Sequence, residues 1–257
     1  MKTKAIALFW WALPLAALNA QIRVGPYLQT GISQFHLEYD AAQVYEAQPG
    51  FSWQVGASAE VGWGSFWKIQ TGIGLAQRQL SLGYNAAVYY VDWQGISNPM
   101  DIGEAMEPDL QFQSLVLPLA AKFEYPIANW RVHAIAGFSF EYFLKGESRN
   151  LKVIHYHMIP PEYIPELSYL KEPAPQALRF GEERLDDFTQ WAPSWVLGLG
   201  VDFYNAEYDR KLTLGLSFQR GLRSIVNANN NQSTVFLGHP ARLQGLTLHA
   251  QYLFELE

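Results

Sequence analysis

The stretch from Phe51 to Leu75 alternates apolar and polar side chains almost without interruption. Apolar residues occupy the odd positions from Phe51 to Trp63, and the alternation resumes at Trp67 after a tight turn at Gly64 and Ser65. A period of two predicts β-strands, and two strands around a short turn predict a hairpin. The pattern suits both a soluble barrel and a membrane barrel, which differ in the face that is turned to water.

The N-terminal segment predicts a cleaved secretory signal. Lys2 and Lys4 precede an apolar run from Ala5 to Leu13, and small residues lead to a cleavage site after Ala20. We therefore predict a signal peptide at 1–20 and one exported domain at 21–257. No later apolar run approaches the ~18 residues that a spanning helix needs, so a membrane form of this chain would cross with strands.

Composition and residue spacing exclude several functions. The absence of Cys excludes disulfides, thiol nucleophiles and thiolate metal sites, and the net charge of -6 without a basic patch argues against nucleic acid as a partner. His133 and Glu141 share a predicted face but lie too far apart along one strand for a catalytic pair. His155 and His157 lack acidic partners at metal-binding spacing. We predict no catalytic residues, no metal site and no cofactor.

Period-two alternation recurs in eight segments, namely 23–33, 51–63, 67–79, 111–125, 130–144, 194–204, 211–222 and 241–254. Their connections alternate between short and long, which is typical of outer-membrane barrels. At ~3.4 Å per residue, the second segment would rise roughly 30 Å when tilted, which suits the ~25 Å apolar band of such barrels. The sequence therefore predicts an all-β fold, an eight-stranded antiparallel up-and-down transmembrane β-barrel with short periplasmic turns and long outer loops.

The two faces of these strands predict an apolar exterior and a polar interior. Glycines accompany the polar residues, and they would make room inside a barrel whose interior is only just wide enough for side chains. Because an unpaired buried charge is costly, the interior charges should pair with one another. The predicted lumen network comprises Arg23, Glu60, Lys68, Lys122, Glu124, Arg131, His133, Glu141 and Asp202.

Aromatic residues predict a membrane interface at the short-turn end. Rings with one polar edge favour the boundary between lipid and water, where barrels show them as a girdle. The predicted girdle comprises Trp63, Trp67, Tyr125, Trp130, Phe203, Tyr204 and Phe254. In the long loops, rings could anchor a protein partner or pack over the barrel mouth as a lid. The loop candidates are Tyr89, Tyr90, Trp93, Tyr156 and Tyr163.

The chain also resembles a known family. The segments LVLPLAAKFEY from Leu115 to Tyr125, RVHAIAGFSFEYFL after the next turn, LTLGLSFQRGLRSI from Leu212 to Ile225, and LTLHAQYLF in the last strand are similar to the outer-membrane β-barrel domain family of Bacteroidetes-type envelopes. That family includes PorT-like proteins. The resemblance implies an eight-stranded barrel that the outer-membrane assembly machinery inserts. It does not imply one activity, because fold does not fix function.

These observations lead to one main interpretation and two alternatives. The main interpretation is an integral outer-membrane barrel of the cell envelope, without enzymatic activity, that serves as a structural or interaction platform. Its partners would be outer-membrane lipid and a protein at the long loops, and it would be an accessory of secretion or surface assembly. The alternatives are a secreted, soluble, lipocalin-like barrel that binds an apolar ligand, and an outer-membrane lipid-modifying enzyme.

Overall fold

Eight long β-strands dominate the computed structural model, which describes residues 21–37, 45–84, 87–89, 101–155, 176–178, 180, 188–226 and 241–256. The long strands are β1 (Ile22–Leu37), β3 (Gly50–Trp63), β4 (Trp67–Tyr84), β6 (Asp101–Ile127), β7 (Trp130–His155), β9 (Trp191–Tyr204), β10 (Arg210–Gly221) and β11 (Ala241–Leu256). Three short strands are β2 (Tyr45–Gln48), β5 (Ala87–Tyr89) and β8 (Gln176–Ala177). Within the described residues, no helix has the length and apolar character of a membrane span. The predicted signal peptide lies outside them.

The long strands close into a ring. Each pairs antiparallel with the next in the order β1, β3, β4, β6, β7, β9, β10 and β11. The ring closes where β11 returns to β1, with a register that runs from Ile22 opposite Leu256 to Leu37 opposite Ala241. Closure removes the unpaired strand edges that an open sheet would expose. The fold is the predicted eight-stranded up-and-down barrel.

The strands extend further at the long-loop end than the alternation predicted. The sequence predicted segments 111–125 and 130–144, whereas β6 begins at Asp101 and β7 ends at His155. A register shift in the β6 and β7 pairing places Gln113 opposite Lys145 and Ser114 opposite Phe143, so Leu144 is an extra residue. Beyond such a bulge, the odd-numbered and even-numbered residues of the strand exchange the faces to which they point. The period-two signal therefore ends there, although the strand continues.

The faces of the barrel are arranged as the membrane interpretation requires. Large apolar side chains such as Leu28, Leu75, Leu119, Leu199 and Leu248 are exposed on the outer surface. The buried residues include many charged and polar side chains that point into the interior. A lipocalin-like barrel would have the opposite arrangement, because its apolar face would line a central pocket. The soluble alternative is therefore wrong.

A separate apolar core fills the outer end of the barrel, above the polar interior. Phe112 lies at its centre and contacts the rings of Phe35, Phe143, Phe180 and Phe188, with centroids 5.1–6.5 Å apart. This outer core comprises Phe35, Leu80, Leu110, Phe112, Phe143, Leu178, Phe188, Ala192, Ile225, Val226, Ala241 and Leu243. Several of these residues lie between the long strands rather than in them. The described parts of these connections, namely Leu178, Phe188, Ile225 and Val226, therefore pack inside the outer end of the barrel.

Candidate functional site in the barrel interior

Six charged side chains meet near the short-turn end of the interior. We call them the central ion cluster: Glu60, Lys68, Lys122, Glu124, Asp202 and Lys211. All are at most 5% exposed, and they come from β3, β4, β6, β9 and β10. Each lies at a position of its strand whose side chain points into the barrel, so all six side chains reach the same region of the interior. The cluster holds equal numbers of lysines and carboxylates.

Lys122 and Lys211 are the cations at the centre of this cluster. The Lys122 ammonium donates hydrogen bonds to Glu60 Oε1 at 3.1 Å and to Asp202 Oδ1 at 2.9 Å. The Lys211 ammonium donates to Glu60 Oε2 and, at 3.2 Å, to Glu124 Oε1. Each lysine therefore bridges two carboxylates from different strands. Such mutual pairing offsets the high cost of removing these charges from water.

Glu124 and Tyr204 connect the cluster to the short-turn end. Lys68 Nζ lies 2.8 Å from Glu124 Oε2 and donates to the Tyr204 hydroxyl at 2.6 Å. The Tyr204 hydroxyl in turn donates to Glu124 Oε2 at 2.8 Å. Arg131 Nη1 reaches the same carboxylate oxygen at the longer distance of 3.4 Å. The Glu124 carboxylate thus pairs with both Lys68 and Arg131 on this side of the cluster.

Two histidines lie beside the central ion cluster. His133 Nδ1 is 3.3 Å from Asp202 Oδ2, and its ring centroid is 6.1 Å from that of His249. Thr213 donates its hydroxyl proton to Asp202 Oδ1 at 2.5 Å. Gly200 and Gly215 lie against the two imidazole rings, where a side chain would clash with them. The glycines therefore make room for the histidines in the narrow interior.

A second charged pair lies between the central ion cluster and the outer core. Arg78 Nε donates to both Glu141 oxygens, at 2.8 and 3.0 Å, and Arg78 Nη1 donates to Ser33 Oγ at 3.0 Å. Ser114 Oγ donates to Glu141 Oε1 at 2.5 Å. Charge-assisted bonds to a guanidinium fork are among the strongest that side chains form. We call Arg78 and Glu141 the outer ion pair.

Tyr27 fills the interior between these two charged layers. Its ring lies against Gly56 and Gly74, and its hydroxyl accepts a 2.5 Å hydrogen bond from Gln54 Nε2. A small enclosed cavity of about 40 Å³ remains beside Tyr27 and Gln54. Since one water needs ~10–15 Å³ of such space, the cavity has room for only a few water molecules. Most of the interior at this level is therefore filled by side chains.

The short-turn end opens into a larger, positively charged cavity. We call it the periplasmic pocket. It has a volume of about 430 Å³ and lies against the turn at Gly64 and Ser65. Its charged and aromatic lining is Arg23, Lys68, Arg131, Tyr204 and Tyr208. All three charged side chains in this lining are cationic, so the pocket has the electrostatic character of an anion site.

Among the described residues, the interior brings together neither a metal-binding group nor an acyl-transfer triad. Among the described residues, no group of three His, Asp or Glu side chains is placed to hold a metal ion. His133 lies beside Asp202, but no serine hydroxyl donates to it among the described hydrogen bonds, as acyl transfer would require. What the arrangement does chemically is neutralise its own charges. Layers of paired ions, Tyr27 and the outer core occupy the described interior above the periplasmic pocket.

The structure places all nine residues of the predicted lumen network on the inward face. Arg131 is the least buried of them, with a side chain 27% exposed at the periplasmic pocket. The nine do not form one group, because Glu141 belongs to the outer ion pair and Arg23 pairs with Glu255 at 2.6 Å. Glu60, Lys68, Lys122, Glu124 and Asp202 meet in the central ion cluster.

Sequence reasoning left important partners out of this network. Lys211 bridges Glu60 and Glu124, and Arg78 holds Glu141. Both residues could have been predicted from their positions in the alternation, because each lies on the inward face of its strand. Lys211 shares the face of Thr213, and Arg78 shares the face of Lys68, but each lies near the end of its predicted segment. Alternation is weakest at segment ends, where few neighbours establish the face.

Most of the predicted girdle lies on the outer surface at the short-turn end. Trp67, Tyr125, Phe203 and Phe254 are exposed, and Trp130 is partly buried there. The side chain of Trp63 lies outside the described residues. Tyr204 is a correction, because its ring points into the interior and its hydroxyl contacts Lys68 and Glu124. It shares the parity of Asp202, so its neighbour Phe203 takes the lipid side instead.

The predicted loop candidates are largely beyond what the structure describes. The backbone of Tyr89 belongs to β5, which pairs with β6 through Asp101. The other candidates, Tyr90, Trp93, Tyr156 and Tyr163, lie outside the described residues. The proposal that these rings contact a partner therefore rests on the sequence.

The sequence matches the family described as "Outer membrane protein beta-barrel domain" over residues 17–227. The chain belongs to this outer-membrane β-barrel family. Membership agrees with the closed ring, the apolar exterior and the polar interior described above, and it supports a location in the outer membrane. No curated protein matches the sequence.

Solved outer-membrane proteins match the chain at low identity and with TM-scores below 0.5. Neisserial surface protein A (NspA) is 10% identical with a TM-score of 0.41, covering 91% of this chain and 97% of that one. OprG from Pseudomonas aeruginosa is 9% identical with a TM-score of 0.41, covering 93% and 95%. The outer membrane protease OmpT from Escherichia coli is 12% identical with a TM-score of 0.47, covering 92% and 97%. Likenesses at this level imply no shared activity.

Proposed function

We propose that this chain is a non-enzymatic interaction platform of the outer membrane, an accessory of a secretion or surface-assembly system. The observation that carries the proposal is the filled interior. Among the described residues, the central ion cluster, Tyr27, the outer ion pair and the outer core occupy successive levels of the interior above the periplasmic pocket, with a cavity of about 40 Å³ beside Tyr27. A barrel closed in this way offers a rigid frame rather than a channel.

The outer loops are the part of the frame that engages a protein partner. Loops held by a rigid scaffold commonly carry binding residues, and Tyr and Trp are enriched among the residues that dominate binding energy. The loop candidates Tyr89, Tyr90, Trp93, Tyr156 and Tyr163 belong to these connections. The resemblance to PorT-like proteins supports an accessory role in secretion within this general function.

The remaining partners follow from the exterior and from the N-terminal segment. The apolar outer surface is covered by outer-membrane lipid, because transfer of its exposed leucines from water to lipid is favourable. The signal peptide at 1–20 directs export, and the outer-membrane assembly machinery then inserts the domain, as the family resemblance implies. No cofactor is required at any of these steps.

Site-specific photo-crosslinking in intact cells tests this function. A photoreactive residue at Tyr89, Trp93 or Tyr163 should yield a discrete protein adduct. The same residue at the lipid-facing Leu199 should yield none, and this position is the matched control. Absence of protein adducts at every loop position would contradict the proposal.

Two further measurements separate the proposal from a pore or an enzyme. Purified protein in planar bilayers should give no steady single-channel conductance, because paired side chains fill the interior. Mass spectrometry of lipids from expressing cells should show no new mass relative to cells without the protein. Steady conductance would indicate a channel, and a shifted lipid mass would indicate the lipid-modifying enzyme.

A further inference from the structure

The periplasmic pocket has an excess of positive charge that its own carboxylates do not fully satisfy. Glu124 is the carboxylate nearest its floor, and Oε2 of that residue already receives Lys68 at 2.8 Å and the Tyr204 hydroxyl at 2.8 Å. Arg131 has a single ion pair among the described residues, the 3.4 Å contact with the same oxygen. A guanidinium has five N–H donors. Most of those of Arg131 are therefore available to a ligand.

Arg23 adds a second guanidinium to this pocket. It is 4% exposed, and its Nη2 donates to Glu255 Oε2 at 2.6 Å and to the Tyr208 carbonyl at 3.1 Å. Its Nε is buried and has no hydrogen-bond partner among the described residues. A buried donor without a partner costs free energy unless something satisfies it. A fully buried Nε is out of reach of a ligand, whereas Nη1 takes part in none of the described hydrogen bonds and is the Arg23 nitrogen that a ligand in the pocket can contact.

Aromatic rings shape the pocket between these cations. Arg23 and Arg131 lie 5.3 and 4.7 Å from the centroid of Tyr204, and the Tyr208 ring lies 5.7 Å from it. Tyr208 is a non-glycine residue with a φ of 61°. Such backbone conformations are costly, and structures retain them where the surroundings fix them. Here the conformation brings both the Tyr208 carbonyl to Arg23 and an exposed ring to the mouth of the pocket.

We infer that the periplasmic pocket binds an acidic peptide segment, with Arg131 and Arg23 holding its carboxylates. The volume of about 430 Å³ falls within the range of ~300–1,000 Å³ for ligand sites, and a single small anion would leave most of it empty. Paired guanidinium forks match the geometry of carboxylates, and tyrosine rings supply flat contact area for peptide groups. This site is at the opposite end from the outer loops, so it goes beyond the function proposed above.

Calorimetric titration of the full exported chain, purified in detergent, tests the inference. The probes are a blocked triglutamate peptide, a blocked triglutamine peptide and inorganic phosphate. Triglutamate should bind saturably and more weakly as salt increases, because the contacts are charged. Equal binding of triglutamine would overturn carboxylate recognition. Phosphate that binds as tightly as triglutamate would overturn a peptide site in favour of a general anion site.

Substitutions locate the binding in the periplasmic pocket. Arg131→Gln should weaken triglutamate at least about tenfold, the size of one charge-assisted hydrogen bond. Arg210→Gln is the matched control, because Arg210 lies at the same end but outside the pocket, with a side chain 57% exposed, and it should bind as the wild type does. Unchanged affinity in Arg131→Gln would overturn the assignment.

A second variant keeps the test valid if Arg131→Gln fails to fold. Tyr208→Gly removes the exposed ring, keeps the carbonyl that Arg23 needs and suits the positive φ. It should therefore fold, shift on a gel upon heating as the wild type does, and bind triglutamate several-fold more weakly. A Tyr208→Gly protein with wild-type affinity would exclude the ring from the binding site and overturn the peptide arrangement.

Discussion

At the scale of single residues, the interior is organised by pairs of large and very small side chains. Tyr27 provides the clearest case, because a Cβ added at Gly56 would clash with its ring and a Cβ added at Gly74 would clash with its hydroxyl. Gly usually weakens a strand, since it packs nothing and loses more entropy on folding. In this barrel the loss is offset by the room that Gly74 gives to Tyr27. The hydrogen bond from Gln54 then fixes the ring in that place.

Replacing Gly74 with Ala should destabilise the folded barrel by about 1–3 kcal/mol, the usual cost of overpacking. The new Cβ would lie 2.1 Å from the Tyr27 hydroxyl and 3.0 Å from its Cζ, so the ring must move and its bond to Gln54 is lost. The free energy of unfolding in urea, measured in lipid vesicles, reports the change.

Gly62→Ala is the control for this substitution. Gly62 also lies at an inward position, on β3, but its Cβ would come no closer than 3.5 Å to the Gln21 carbonyl oxygen. Stability should stay the same or rise slightly, because Ala loses less entropy than Gly. Equal destabilisation by both substitutions would show that contact with Tyr27 is not the cause.

At the scale of elements, the barrel consists of a membrane part and an outer extension. The membrane part runs from the girdle to the outer ion pair and has paired polar residues inside. The outer extension is filled instead by the apolar outer core. The bulge at Leu144 marks the transition on β7, and Phe143 is the first residue of the outer core there. The extension therefore resembles a small water-exposed domain mounted on a membrane barrel, stabilised by burial of apolar side chains.

Phe112→Ala should loosen this extension while leaving the membrane part folded. Phe112 is fully buried among four other rings, and truncating such a side chain costs about 3–5 kcal/mol. Limited chymotrypsin digestion of the folded protein in micelles should cleave the outer connections faster, while the remaining barrel still shifts in gel mobility on heating.

Phe138→Ala provides a matched truncation on β7. Phe138 is exposed on the lipid-facing surface, so its loss leaves the outer core intact, and the rate of outer-loop cleavage should not change. If both variants were cleaved equally fast, the outer core would not be what protects the connections.

The same division explains what the sequence could reveal. In the membrane part, lipid and a narrow interior impose opposite preferences on alternate residues, so the pattern of Phe51 to Leu75 predicts strand, face and pairing direction together. In the extension, the bulge at Leu144 and the apolar interior remove that contrast, and β6 and β7 were predicted too short. The central ion cluster was predictable by parity but incomplete, since Lys211 and Arg78 lie near segment ends. Tyr204 was misplaced because an aromatic ring suits both faces.

At the scale of the whole molecule, the decisive property is the inversion of the usual protein surface. The exterior exposes Leu199 and many other apolar side chains, while lysines and carboxylates are buried in the interior. A soluble protein with this exterior would expose many large apolar side chains to water and would aggregate through them. In a bilayer the same surface is solvated, and closure of the ring means that none of the eight described long strands presents a free edge to lipid. Stability of the folded barrel therefore depends on the membrane.

Leu199→Arg tests this property most directly. Leu199 lies on β9, four residues and two periods of the alternation from Phe203 in the girdle, and it is 68% exposed, so Arg there would face the middle of the hydrocarbon region. The expected cost is about 2–4 kcal/mol in lipid vesicles, measured by urea unfolding, and it falls to about 0–1 kcal/mol near an interface. Leu222→Arg is the matched control, because Leu222 is exposed just after the outer end of β10 and should show only the interfacial cost. In a protein whose exterior faced water, both substitutions would cost little, and equal, small effects would contradict the membrane-spanning barrel.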